Sequence, residues 1–389
     1  MKRRVIKGVI LGIIFIAALI ISSLVLNRGA EDQIVDMGAA SLPRISFNVD
    51  GKKVNTLFGY VNDMDVTAMR DTITPLETDG TLSMNLEANG QEISRIQYEV
   101  YSLNGAETYK TGVVEEITSD EPMAMELGDA LSDSVQEAVL RVILTSGDET
   151  ISYYTRVEMP DEITASECLT FAQDFHTKAI EKSASEELSS YLEPGEESDN
   201  TTYQTVNIHS DITHIQWGEL NPEVVGNVKW SIKESNSVYT SLLAKYQVNC
   251  EDDNGQLQTY NIKEFFRVRL SGDMIYLLDY NRDMQQVFNA NPQAVDENGI
   301  RFGIASGDIQ YVTNEDDTVA AFVQERDLWL YNKTTDELLR VLSFATQEGS
   351  DERSLNDQHP VRNLSREEAG QQACGGSGMI SRANADGGD

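Results

Sequence analysis

Four histidines and three cysteines are the residues of this chain best suited to metal binding or covalent chemistry. Their spacing points to neither. His209 and His214 are five apart, so on a continuous strand their rings face opposite ways and share no metal, unless a turn at Ser210-Asp211 reunites them. His176 and His359 stand alone in the sequence. Cys168, Cys250 and Cys374 are too few and too widely spaced for a disulfide framework or a zinc ribbon. Cys168 falls on the apolar face of a predicted helix and Cys250 on that of a predicted strand. If that helix packs on that sheet the two thiols can approach, but two buried free cysteines are the commoner outcome. Ser377, in Gly375-Gly376-Ser377-Gly378-Met379, lacks the last glycine of a nucleophile elbow and follows no strand. Calcium loops built around Gly255 or Gly299 fail because Cys250 and Ala294 stand where the first ligand belongs. No catalytic, cofactor-binding or metal-binding residue is therefore assigned, and a non-enzymatic chain is the expectation.

Charge narrows the partners. Lys2, Arg3, Arg4, Lys7 and Arg28 are five of the 30 basic residues, and the first 28 positions hold none of the 64 acidic ones. The rest of the chain carries 25 basic against 64 acidic residues, a formal −39. Such a surface repels phosphate backbones and anionic head groups, which excludes nucleic acid as a partner and leaves basic segments, cations or neutral polymers. The run from Val9 to Leu26 carries no charge. At 1.5 Å per residue its length is roughly 27 Å, enough to span a thin bilayer core as one helix, or a slightly thicker one with Gly8 and Asn27 included. Basic residues before the run and acidic ones after it put the N-terminus in the cytoplasm and the bulk outside. The alternative is a cleaved secretory signal, but the run is long for one and Leu24-Val25-Leu26-Asn27-Arg28 offers no small-residue cleavage site.

The elements after the anchor are mostly strands. Ile45, Phe47 and Val49 alternate with polar residues up to Asp50-Gly51; Leu82, Met84 and Leu86 up to Asn89-Gly90; Ile96, Tyr98 and Val100 up to Asn104-Gly105. Each dipeptide suits a tight hairpin, because glycine accepts positive φ. Ala138 to Thr145 and Thr150 to Met159 form a further pair around Ser146-Gly147-Asp148-Glu149. Short antiparallel strands with one apolar face predict a β-sandwich over 41–160. Beyond Pro160 the period changes. Cys168, Phe171, Ala172, Phe175 and Ala179 share one helix face. Thr164 with Glu167, and Ser183 with Glu186, read as capping boxes for that helix and for a short second one ending near Leu192. Strands then return at Leu242 to Cys250, Phe265 to Leu270 and Met274 to Tyr280. The stretch 161–290 therefore reads as α+β, with helices covering an antiparallel sheet.

Thr318 to Val323, Leu328 to Tyr331 and Leu338 to Leu342, with a first strand near Ile309 to Val312, predict a four-stranded meander over 301–345. In "AAFVQERDLWLYN" crossing to "ELLRVLSF" this segment resembles one blade of a β-propeller of the TolB or prolyl-peptidase kind. The resemblance covers about forty residues in a single copy, where closure takes about four to eight. It implies a truncated form of a longer propeller-containing protein. Residues 29–40 read as a linker, and 346–389, without aromatic residues after Gln347, as a disordered tail.

The expected whole is a mainly β, single-pass envelope protein: an anchor over 1–28 that meets the bilayer through 9–26, then a binding or assembly surface outside, with an envelope protein as the candidate partner. Two alternatives belong to other classes. One is a sensor or accessory subunit signalling through its single helix, and the other a fragment of a hydrolase without its catalytic domain.

Overall fold

Strand follows strand through most of this chain, as the period-two alternation requires. The structure, a computed structural model, describes residues 35–36, 42–132, 134–159, 164–196, 198, 200–251, 255–288, 294–296, 299–303, 309–324 and 327–343. The anchor expected at 1–28, most of the 29–40 linker and the 346–389 tail lie outside the described residues. Among the described residues no helix is long and apolar enough to cross a membrane. The chain divides into two units: one of Ala40–Phe288 with Phe302–Gly307, the other of Met1–Ala39, Asn289–Arg301 and Asp308–Asp389.

The first described strand, Val35–Asp36 (β1), belongs to the smaller unit. The larger unit begins with β2 (Arg44–Val49), β3 (Lys52–Phe58), β4 (Ile73–Pro75), β5 (Thr81–Glu87) and β6 (Arg95–Tyr101). It continues through β7 (Thr108–Val113), β8 (Met123–Glu126), β9 (Glu137–Ser146) and β10 (Glu149–Glu158). These build two sheets, ordered β3-β2-β5-β8 and β4-β10-β9-β6-β7. Ile45, Phe47, Met84 and Leu86 of the first sheet share one buried cluster with Ile96, Leu140, Val142 and Tyr153 of the second. The arrangement is consistent with the expected sandwich.

Asp50 and Gly51, both at positive φ, turn β2 into β3, and the pairs β6–β7 and β9–β10 form as the turn dipeptides predict. Asn89-Gly90 does not make the expected hairpin. Both residues have positive φ, yet β5 pairs with β2 and β8 while β6 pairs with β7 and β9. The turn instead passes the chain from one sheet to the other. Leu82, Met84 and Leu86 thereby join Ile96, Tyr98 and Val100 in one core rather than along one ladder.

The rest of the larger unit comprises α1 (Ala165–Ile180), α2 (Ser185–Ser189), β11 (Thr205–Asn207), α3 (Ile212–Ile215) and four long strands. These are β12 (Glu223–Ser235), β13 (Thr240–Glu251), β14 (Leu257–Ser271) and β15 (Met274–Gln286), in a sheet ordered β11-β15-β14-β13-β12. The apolar face of α1, with Leu169, Ala172 and Phe175, buries against Leu242, Phe266 and Tyr280. Neither capping box forms. Thr164 sits at ψ 2°, not in the extended conformation a capping side chain needs, and makes no cap hydrogen bond. The second helix starts one residue later than expected, after Ala184 in the left-handed region, and Ser185 Oγ donates to Gln216 Oε1.

In the smaller unit, Val295–Asp296 (β16) pairs with Gly299–Ile300 (β17). The expected meander comes next as β18 (Tyr311–Thr313), β19 (Val319–Gln324), β20 (Asp327–Asn332) and β21 (Glu337–Ser343), in the order β1-β21-β20-β19-β18. β1 adds parallel to β21. No further blade is present among the described residues. Ala320, Phe322, Trp329 and Tyr331 are buried on one face. Leu328, Leu330 and Val341 are half-buried. In the ladder Leu328 stands opposite Val323, and Leu330 opposite Ala321 and Leu339. Phe344 lies outside the described residues.

Candidate functional site

The chemistry-bearing side chains of the larger unit converge beneath α1. On β14, Tyr260, Ile262, Glu264, Phe266 and Val268 alternate inward, so Glu264 occupies an apolar position of its strand and is 1% exposed. His176 reaches it from α1, one residue past Phe175 on the buried helix face. His176 Nδ1 lies 2.6 Å from Glu264 Oε2. Tyr246 donates to the same oxygen at 3.0 Å and Tyr280 to Oε1 at 2.7 Å. The imidazole meets the Trp230 and Tyr246 rings edge to face.

Arg282, directly opposite Glu264 in the β14–β15 ladder, is fully buried. Its guanidinium lies 3.9 Å from the Trp217 ring centroid and donates to the carbonyls of His214 and Ile215, each at 2.8 Å. Those carbonyls end α3, where a cation complements the partial negative charge of the helix terminus.

The electrostatics follow from this packing. Burial pushes the Glu264 carboxyl up, but His176, Arg282 and the Tyr280 hydroxyl outweigh it and hold it below the ordinary range. Burial, and next the charge of Glu264, raise Tyr246 and Tyr280 well above an ordinary phenol. Both phenols stay protonated at neutral pH and donate to the carboxylate, so neither serves as a nucleophile. Chemically the cluster is an ionised carboxylate satisfied by three neighbours, and it pins α1 and α3 to the sheet.

The remaining residues weighed from sequence lie apart. The turn at Ser210-Asp211 does form, yet it gives each histidine its own partner. His214 Nδ1 lies 3.0 Å from Asp211 Oδ1 and His209 Nδ1 donates to the Glu193 carbonyl at 2.9 Å. Among the described residues no group of three or more potential ligands is placed to hold a metal ion. Cys168 and Cys250 are buried and free. The Cys168 thiol lies 3.7 Å from the Val268 carbonyl, and Val268 faces Thr240. Cys250 is ten residues farther along β13, a distance of about 33 Å on an extended strand. α1 does pack on that sheet, but at the wrong end for a bridge. His359, Cys374 and Ser377 lie outside the described residues.

Comparison with known protein families and with curated proteins finds no match for this chain. Its functional reading rests on its own residues. Sequence reasoning missed the Glu264 cluster, although a signal was present: Glu264 and Arg282 are the charged residues in the inward registers Tyr260–Ile262–Glu264–Phe266 and Tyr280–Arg282–Met284. A charge at an apolar register position demands a buried partner.

Proposed function

We propose that this chain is a membrane-anchored binding or assembly protein of the cell envelope, non-catalytic, with its bulk on the extracytoplasmic side. The observation that carries the reading is the charge-free run Val9–Leu26, preceded by Lys2, Arg3, Arg4 and Lys7 and followed, beyond Arg28, by a remainder of net −39. The satisfied state of the Glu264 cluster supports a scaffold role, because its carboxylate is committed to fold contacts. In this reading 41–160 is a β-sandwich, 161–290 an α+β domain and the β18–β21 meander a propeller-type blade; the consecutive antiparallel order of its strands favours the last. A reporter active only outside the cytoplasm, fused after Ile300, tests it. Activity in the membrane fraction is expected. Release of the fusion as a soluble product, or an inactive membrane-bound fusion, would overturn the topology.

A further inference from the structure

We propose that the outer face of the β11-β15-β14-β13-β12 sheet, the one turned away from α1, docks an acidic polypeptide segment that also carries aromatic or aliphatic side chains. This rests on the binding role above and names the chemistry of its partner.

Leu242, Ala244, Tyr246, Ile262, Glu264 and Phe266 point under α1. Alternation therefore puts Leu243, Lys245, Lys263, Phe265, Arg267 and Arg269 on the other face. There Lys229, Lys245 and Lys263 stand side by side on three neighbouring strands, in register. Two interstrand steps give the row a width of about 10 Å at the backbone. Like charges directly opposite one another weaken a sheet, so folding alone does not favour such a row in a chain with twice as many acidic as basic residues.

The next rows are apolar and arginine-rich. Phe265 pairs with Leu243, Arg267 lies over the Tyr239 ring at 4.8 Å, and Arg269 stands opposite Tyr276. Along β15, Met274, Tyr276 and Leu278 are 60%, 43% and 44% exposed. A bulge sets Arg267 opposite Asp279 and Val268 opposite Leu277, which leaves Leu278 as the extra residue on this face. Tyrosine, phenylalanine, methionine and arginine are the residues enriched where partners bury one another. Acids are present too: Glu234, held by Arg267 at 3.5 Å, Asp283, which stands opposite Lys263 at the end of the lysine row and accepts from Thr205 at 3.1 Å, and Asp279, opposite Arg267. Lys229 also acts on Glu87, which Lys53 and Arg44 already hold. The lysine row fits carboxylates and the stripe fits apolar side chains. A purely hydrophilic polyanion would leave the stripe uncovered, which favours a polypeptide.

The test uses the full chain in non-ionic detergent with three probes: a random copolymer of glutamate and tyrosine, polyglutamate of equal length, and polyphosphate. The copolymer is expected to bind about tenfold tighter than polyglutamate and to weaken as salt rises. The variant K229Q/K245Q/K263Q should lose about tenfold in affinity with a flatter salt dependence. Y276S/L278S should abolish the copolymer's advantage over polyglutamate. Both variants change partly exposed positions, and circular dichroism melts check their folding. No copolymer binding, unchanged binding by either folded variant, or polyphosphate binding as tight as the copolymer would each overturn the proposal. The Ile300 fusion reads topology without any probe, so failure here and failure of the envelope reading are told apart.

Discussion

Asn55 Oδ1 accepts a hydrogen bond from the backbone N–H of Ile232 at 2.7 Å, across 177 residues of sequence. The same side chain donates to the Ile73 carbonyl and to Thr74 Oγ1, both at 2.8 Å, and is fully buried. One amide thus joins β3, β4 and β12, strands of three different sheets. Beside it Arg156 donates to the Lys233 carbonyl at 2.6 Å, so side chains satisfy the edge of β12 where a further strand would otherwise pair. Asn55 also holds φ 51°, a conformation asparagine tolerates better than most residues.

Replacing Asn55 with alanine should therefore cost about 2–4 kcal/mol of unfolding free energy, because it orphans buried groups on three strands. Asn55→Asp should do no better, since it keeps the acceptor but removes the donors and buries a charge. Urea unfolding at neutral pH measures both. A loss for Asn55→Ala below about 1 kcal/mol would mean that water or a backbone shift replaces the bridge.

Glu264 sets an acid limb of stability. Its folded carboxyl titrates below its ordinary value, so its contribution is fully present above the unfolded pKa and is lost as pH falls through the lower, folded one. Glu264→Gln should cost about 3–5 kcal/mol at neutral pH, the scale for breaking a buried charged pair from one side. The gap between wild type and variant should then narrow as pH drops below about 4. Denaturant midpoints measured across that range decide it. A gap independent of pH would show that the loss comes from packing and not from charge.

What the sequence made legible was the local periodicity. The paired strands β9–β10 and β14–β15, the helix face around Phe175 and the β18–β21 meander all follow from residues a few positions apart. β12 escaped notice because Gly226 at φ 70° and two register shifts break its alternation, leaving only Trp230 and Ile232 in phase. Asn89-Gly90 misled for another reason. The dipeptide fixes a turn, but which strand then pairs with which depends on the core that both sheets share. The Glu264 cluster has the same character: the misplaced charge is visible in β14, while its partner His176 lies 88 residues away on a helix whose docking no local pattern dictates.

The two buried thiols should be chemically silent in the folded protein. Burial raises Cys168 above its ordinary value and pushes Cys250 up to about 11, so little thiolate exists near neutral pH. Alkylation of the peptides containing Cys168 and Cys250, followed by mass spectrometry, should be slow in buffer and fast in urea. Melts with and without reductant should coincide, because about 33 Å of strand separates the two sites. A reductant-dependent shift of several degrees would point to a bond that this geometry forbids.

Glu158 gives the opposite pH signature to Glu264. It closes β10 opposite Glu137, its Oε1 is buried without a hydrogen-bond partner, and the nearby Arg156 guanidinium binds Glu137 at 3.0 Å and the Lys233 carbonyl. Burial chiefly, opposed by a hydrogen bond from Ser235 and reinforced by Glu137, raises its carboxyl from 4.5 to about 7. Because the folded value exceeds the unfolded one, the unfolded chain ionises first as pH rises. Stability associated with Glu158 is therefore complete below 4.5 and is lost progressively up to about 7. Glu158→Gln keeps the shape and removes the titration. It should match the wild type in mildly acid buffer and exceed it at pH 8 by up to about 3 kcal/mol, with solvent access at the strand end reducing the gain. Urea midpoints of both proteins through that range give the difference curve directly. A flat curve would mean that Glu158 is ionised in the fold throughout and that the Arg156 guanidinium neutralises it after all.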